Sequence, residues 1–98
     1  MSDFAKYLKK FRKEKGYSQQ NLAKVLGYGY TAIANYESGR NEPSFDCLIK
    51  LAEILDVTIE ELLGMKLRTE EQRLISSFKK LDDEKKKMIL DLIHTLQS

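Results

Sequence analysis

Residues 19–36 read QQNLAKVLGYGYTAIANY, and two short helical patterns meet in them around Gly27. An apolar face repeats at helical spacing before Gly27, and a second, shorter apolar face follows it. Ala23 is small enough for two helices to approach closely, and Gly27 can adopt the positive φ that a sharp turn requires. The stretch therefore predicts two short helices held at a fixed angle. Their apolar positions are Leu22, Ala23, Leu26, Ile33 and Tyr36.

The second of these helices leaves polar and aromatic side chains pointing away from its apolar face. A helix of this kind, fixed at an angle to its neighbour, suits insertion into the major groove of DNA. The sequence therefore predicts a DNA-facing surface on the second helix. The residues on that surface are Tyr30, Thr31, Ala34 and Asn35.

Length and composition indicate one small globular domain with a short appendage. The chain has 98 residues, of which 42% are hydrophobic and 33% charged, as is usual for a protein with a well-solvated surface. No apolar run approaches the roughly 18 residues of a membrane span. The first residues lack the apolar core of a secretory signal. We therefore expect a cytoplasmic protein with no membrane partner.

Charge is distributed unevenly along the chain, although the formal net charge is only +2. Residues 1–17 contain six basic and two acidic side chains, whereas residues 41–65 contain one basic and six acidic ones. Such a separation of charge orients a small protein on a polyanion. A solvated helix face is the alternative explanation and accounts for most of the lysines.

Helical periodicity and capping residues predict five helices in the first part of the chain. A capping box at Thr58–Glu61 opens the fifth helix, and Gly64 ends it. No segment alternates with period two for long enough to form a strand. The prediction is an all-α domain over residues 4–65. Its first four helices are expected at residues 3–15, 19–26, 30–38 and 45–55.

Residues 66–98 form a separate unit in this interpretation. A second capping box, at Thr69–Gln72, opens one helix, and Asp82 or Asp83 caps a final helix that runs to Leu96. Their apolar faces are too broad for two short helices to bury alone. The extension must therefore pack on the first domain or on another chain. We expect the partner to be a second copy, so that the protein is a homodimer.

These features together resemble a known family. The segments LKKFRKEKGYSQQNLAKVLGYGYTAIANYESGRNEPS (8–44) and LIKLAEILDVTIEELL (48–63) resemble the Cro/C1-type, phage-repressor-like helix-turn-helix domain of the XRE family. The resemblance covers residues 4–64, with the helix-turn-helix motif at 19–38. It implies a five-helix lambda-repressor-like domain that binds double-stranded DNA and regulates transcription. The implied function is a dimeric repressor of phage, mobile-element or bacterial genes on a palindromic operator.

The resemblance also implies roles for individual residues. Those expected to face the bases are Tyr30, Thr31 and Asn35, with Ala34 leaving room for close approach. Tyr30 departs from the short polar residue that is commoner at its position, and three roles are open for it: stacking on sugar-phosphate, donating its hydroxyl to a phosphate, or contacting a thymine methyl group. Those expected to contact the phosphate backbone are Ser18, Gln19, Arg40 and Asn41, and Gln19 could also reach a base edge. Arg12 and Glu37 match residues that pair with each other between helices one and three. We therefore interpret this pair as structural rather than as a DNA contact.

Two other classes of function are alternatives to this interpretation. A protein-interaction module, such as an antitoxin or anti-repressor partner, would be indicated by acidic residues on helix three or by loss of Arg40. An enzyme is not expected, because the sequence has no nucleophile–histidine pair, phosphate loop or metal cluster. His94 lacks a second metal-type ligand at useful spacing, and Cys47 is interpreted as a buried core residue. No cofactor and no small-molecule ligand are expected.

Overall fold

The computed structural model describes residues 2–98. This part of the chain contains seven α-helices, joined by loops, and no strand. The all-α prediction is confirmed. The chain divides into two compact units, Met1–Leu67 and Arg68–Ser98. The helices are α1 (Ser2–Glu14), α2 (Gln19–Leu26), α3 (Ala32–Glu37), α4 (Phe45–Leu55), α5 (Ile59–Leu62), α6 (Glu70–Lys79) and α7 (Asp83–Gln97).

The first unit is built around a single apolar core. Helix α1 packs against α3 and α5, α2 packs against α3, and α4 packs against α5. Burial of these side chains is the main stabilising contribution, because five helices of this length have little stability alone. The core residues are Phe4, Leu8, Phe11, Leu22, Ala23, Leu26, Ile33, Cys47, Leu51, Ala52, Leu55, Val57 and Leu62.

Side-chain caps fix where α2 and α4 begin. Ser18 Oγ accepts a hydrogen bond from the Asn21 backbone N–H at 3.0 Å, and Ser44 Oγ accepts one from Cys47 N–H at 3.1 Å. Each bond satisfies a donor that the helix itself cannot. At the other end of α2, Gly27 takes φ 72° and closes the helix in the left-handed conformation. The predicted bounds of both helices are confirmed.

The predicted bounds of α3 are wrong at its start. The prediction placed Tyr30 and Thr31 inside the helix, but α3 begins at Ala32. The Ala32 N–H donates to the Gly29 carbonyl at 3.0 Å, so that the chain makes a turn over these residues. Thr31 is the N-cap residue at φ −101°, ψ 3°, and its side chain makes no capping bond. Tyr30 and Thr31 therefore belong to the turn between α2 and α3.

The end of α5 lies directly against α1. The capping box between Thr58 and Glu61 is present, as predicted. Beyond the helix, Gly64 takes φ 74°, and a Cβ atom there would lie 2.9 Å from Cε2 of Tyr7. A side chain at this position would be strained by its backbone and would also clash with the tyrosine ring. Glycine at 64 thus permits the close packing of α5 on α1.

The second unit contains α6 and α7. The capping box between Thr69 and Gln72 is present, and Asp82 caps α7 by accepting from the Lys85 N–H at 2.8 Å. Asp82 rather than Asp83 is therefore the cap. Ser76 is the buried residue of α6, and α7 has none. Within this unit the apolar side chains of both helices remain largely open to solvent.

Cys47 lies in the core of the first unit and is 1% exposed. Burial first, and then the neighbouring Cys47, raise the pKa of Tyr28 to about 12. The same two causes raise the pKa of Tyr36. The thiol is thus enclosed by core side chains and aromatic rings, which agrees with the interpretation of Cys47 as a structural residue.

Candidate nucleic-acid interface

A buried carboxylate joins the three helices that shape the surface. Glu37, at the end of α3, accepts hydrogen bonds from Arg12 Nε at 2.6 Å and Arg12 Nη2 at 3.1 Å. Arg12 Nη1 also donates to the Tyr17 carbonyl at 2.9 Å. The Arg12 and Glu37 side chains are only 8% and 5% exposed, so the pair lies inside the protein. The pair therefore joins α1 to α3 inside the protein.

Gln19 takes part in the same network. Its Nε2 donates to Glu37 Oε1 at 3.0 Å, which ties the first residue of α2 to the last residue of α3. The side chain expected to reach DNA therefore has its amide nitrogen directed at Glu37. The first N–H groups of α2 have no partner in the helical ladder, and that of Asn21 donates instead to Ser18 Oγ at 3.0 Å.

Tyr30 and Thr31 lie on the exposed turn before α3. Tyr30 is 69% exposed, although a tyrosine ring usually gains stability from burial. Ile33 is fully buried and fixes the orientation of the helix that follows. Ala34 and Asn35 are partly exposed on that helix. The turn and the first turns of α3 thus present one aromatic and several small or polar side chains.

A contact between Gln20 and Tyr30 was not predicted from the sequence. Gln20 Nε2 donates a hydrogen bond to Tyr30 Oη at 2.5 Å, linking α2 to the turn. Both residues line a surface groove of about 550 Å³, together with Asn21, Lys24, Gly27 and Tyr28. The two residues are ten positions apart and lie on different elements. No periodicity within one helix could therefore have indicated the contact.

The backbone carbonyl of Asn35 holds the loop after α3 in place. It accepts hydrogen bonds from Arg40 N–H at 3.0 Å, from Asn41 N–H at 3.3 Å and from Ser38 Oγ at 3.1 Å. Arg40 and Asn41 are exposed, while their backbone N–H groups are held in place. The loop is therefore fixed close to the end of α3 with two polar side chains at the surface.

Two lysines of α1 lie over aromatic rings of the same helix. Lys6 Nζ lies 5.4 Å and Lys10 Nζ 5.8 Å from the centre of the Tyr7 ring. Lys10 Nζ is also 5.4 Å from the centre of the Phe11 ring. Cation–π contacts at exposed sites are worth only about 0.5–1 kcal/mol, so these amines stay available to solvent and to counter-ions. The basic character of α1 is kept at the surface.

Other kinds of site find no support in the described part of the chain. Among residues 2–98, no group of three or more His, Cys, Asp and Glu side chains could hold a metal ion. In the same range, no helix is long and apolar enough to cross a membrane. The exposed side chains on α2, the turn and α3 form the candidate site.

Comparison with protein families gives one match for this region. A family model described as "Helix-turn-helix" matches residues 8–62. The matched range includes α2, α3 and the turn between them, together with the residues of the Glu37 network.

Comparison with known proteins gives relatives whose names describe transcriptional regulators. The chain is 39% identical over 88 residues to the uncharacterized HTH-type transcriptional regulator YqaE of Bacillus subtilis (strain 168), covering 90% of this chain and 68% of YqaE. It is 33% identical over 88 residues to the cryptic phage CTXphi transcriptional repressor RstR of Vibrio cholerae, covering 87% of this chain and 79% of RstR. It is 37% identical over 76 residues to the HTH-type transcriptional regulator SinR of Bacillus subtilis (strain 168), covering 76% of this chain and 68% of SinR.

Proposed function

Because the chain belongs to the helix-turn-helix family of DNA-binding transcriptional regulators, we propose that it is a dimeric repressor of phage, mobile-element or bacterial genes. Its operator is a palindrome, and repression results from occlusion of promoter DNA. The observation that carries the proposal is the exposed turn and α3 surface, held rigidly by the buried Glu37 network. In this proposal the protein acts in the cytoplasm.

In the proposed complex, α3 enters the major groove and the surrounding elements bind phosphate. Asn35 pairs with an adenine edge, Thr31 contacts a base by its hydroxyl or its methyl group, and Ala34 allows close approach. Ser18 and Gln19 bring the N-terminus of α2 to the backbone on one side. Arg40 and Asn41, in the loop after α3, contact phosphates on the other side. Phosphate contacts supply affinity, and the α3 contacts supply the choice of sequence.

The second unit is the proposed dimerisation element. Its apolar side chains line a groove of about 150 Å³ between α6 and α7. Leu74, Ile75 and Leu90 are each more than half exposed, which is costly for large aliphatic side chains in water. A second copy of the unit buries this surface in our proposal. The groove is lined by Leu74, Ile75, Phe78, Ile89, Leu90 and Ile93.

Selection of bound duplexes from random DNA tests the proposal. Two copies related by two-fold symmetry require half-sites about one helical turn, or a multiple of it, apart. We therefore expect the enriched sequences to share an inverted repeat with that spacing. Enrichment of a single, unrepeated half-site would contradict the dimeric arrangement, and the absence of any shared sequence would contradict specific recognition.

Replacing Asn35 or Arg40 by alanine should weaken binding in two different ways. Loss of the Asn35 side-chain amide should reduce discrimination at one or two base pairs by about 1–3 kcal/mol. Alanine keeps the backbone carbonyl that accepts the hydrogen bonds from the loop, so the loop should stay in place. Arg40→Ala should weaken binding to all sequences alike and reduce the salt slope by about 1. Binding to the operator, its single-base variants and unrelated DNA is measured over a range of salt concentrations. A uniform loss from Asn35→Ala would show that α3 is not seated as proposed.

A further inference from the structure

We propose that Gln20 is a positioning residue that holds Tyr30 so that the tyrosine hydroxyl donates its proton to a hydrogen-bond acceptor on the DNA. The inference deepens the proposed function and rests on it. It concerns a residue that the sequence did not single out and a side chain whose role the sequence left open.

The direction of the Gln20–Tyr30 hydrogen bond carries the inference. Gln20 Nε2 is the donor and Tyr30 Oη the acceptor, at 2.5 Å. A phenol has one proton to donate and can accept at the same oxygen. Because the amide already occupies an acceptor position of Oη, the hydroxyl proton must point elsewhere. No acceptor for this proton is found among residues 2–98.

The exposure of Tyr30 indicates where the proton is directed. The ring is 69% exposed and lies on the turn that leads into α3, beside the first turn of α2. Lys24 lies one helical turn beyond Gln20 on α2 and lines the same groove. A cation, an amide and a hydroxyl donor therefore border one open surface. That set of donors matches the acceptors that DNA offers, which are phosphate oxygens and the acceptor edges of bases in the major groove.

The hydrogen bond also reduces the freedom that Tyr30 would lose on binding. An exposed tyrosine that is not held by a partner samples several rotamers, and fixing it costs conformational entropy. Gln20 holds the hydroxyl before DNA arrives. The contribution of Tyr30 to binding should therefore depend on the residue at position 20, which is a prediction about coupling between two side chains.

A double-mutant cycle on operator binding tests this coupling. The variants are Tyr30→Phe, Gln20→Glu and the two together. Tyr30→Phe removes the proton and should weaken operator binding about tenfold, the effect of one hydrogen bond to a charged or fixed acceptor. Gln20→Glu turns the donor into an acceptor, which takes up the Tyr30 proton and withdraws it from the DNA. It should cost about tenfold more with tyrosine at position 30 than with phenylalanine.

Asn21→Asp is the matched control, because it adds the same negative charge one residue along the helix and lines the same groove. Its cost should be the same whether position 30 carries tyrosine or phenylalanine. All of the substituted side chains are exposed, so the thermal midpoints should stay close to that of the unsubstituted protein. A change in operator binding at constant stability distinguishes positioning from a structural role.

The same variants distinguish the two sources of the acceptor. If Tyr30→Phe loses affinity for the operator, its base variants and random DNA alike, the acceptor is a phosphate; if the loss is confined to one or two base pairs, it is a base edge. Either result supports the inference. Operator binding by Tyr30→Phe equal to that of the unsubstituted protein would overturn it, as would an equal cost of Gln20→Glu in both backgrounds. If the unsubstituted protein selects no operator, the proposed function fails and this inference fails with it.

Discussion

Replacing Arg12 by methionine is expected to lower the free energy of unfolding by about 3 kcal/mol. The side chain of Glu37 is 5% exposed, and removal of Arg12 leaves its carboxylate buried with the Gln19 amide as the one hydrogen-bond donor among the described residues. Removing one partner of a buried ion pair costs several kcal/mol for this reason. Methionine keeps the apolar stem of the arginine, so that most of the loss comes from the charge. Urea denaturation at neutral pH measures the effect.

The exposed ion pair between Lys15 and Asp56 provides the control. Its side chains are 40% and 35% exposed, so water already solvates both charges. Lys15→Met should cost less than about 1 kcal/mol. Equal costs for the two methionine variants would contradict the structural role of Arg12. The folded fraction of Arg12→Met should also keep the operator-to-random binding ratio, because the Arg12 side chain is buried and donates to Glu37 and to the Tyr17 carbonyl.

Placing a charge in the apolar groove of the second unit should have the largest effect on DNA binding. Ile93 lines the groove between α6 and α7, and Ile93→Glu would place a carboxylate in the proposed interface. We expect the dimer to dissociate and operator affinity to fall by about 100-fold or more, since two linked binding events become one. Sedimentation velocity reports the oligomeric state, and fluorescence anisotropy reports the affinity.

Two comparisons make this second experiment decisive. Thr95→Glu adds the same charge to an exposed position on α7 outside the groove and should leave the dimer intact. A chain ending at Leu67 retains the whole buried core of the first unit and should fold as a monomer with helical circular dichroism. An undiminished dimer of Ile93→Glu would show that the groove is not the interface, and an undiminished dimer of the shortened chain would place the interface on the first unit.

Local signals explain why most of the helices could be predicted. The bounds of α2 and α4 depend on serine N-caps that bond to a backbone N–H three residues away. Two capping boxes likewise begin α5 and α6. Each of these interactions joins residues within one helical turn, so that residues close in the sequence are also close in the structure. The all-α class followed from these signals together with apolar periodicity.

The start of α3 and the details of the site could not be predicted in this way. Helix propensity does not distinguish the first turn of a helix from the turn that precedes it. Here the hydrogen bond from the Ala32 N–H to the Gly29 carbonyl forms a turn, and α3 begins only at Ala32. Gln20 and Tyr30 meet only because the angle between α2 and α3 brings them together. Gln19 was expected to reach the DNA backbone, and its bond to Glu37, which is distant in sequence, was not indicated by any spacing. Tertiary contacts of this kind leave no periodic pattern.

The affinity of the full chain for a selected operator, relative to its affinity for a scrambled duplex of the same length, is the sharpest test of whether the α3 surface reads bases. Fluorescence anisotropy in one buffer gives both affinities, so that the shared phosphate contribution cancels in their ratio. Direct reading of bases by the α3 surface predicts a preference of about 1,000-fold or more for the operator. A preference below about tenfold would show that the surface binds DNA only through its backbone and would contradict the account.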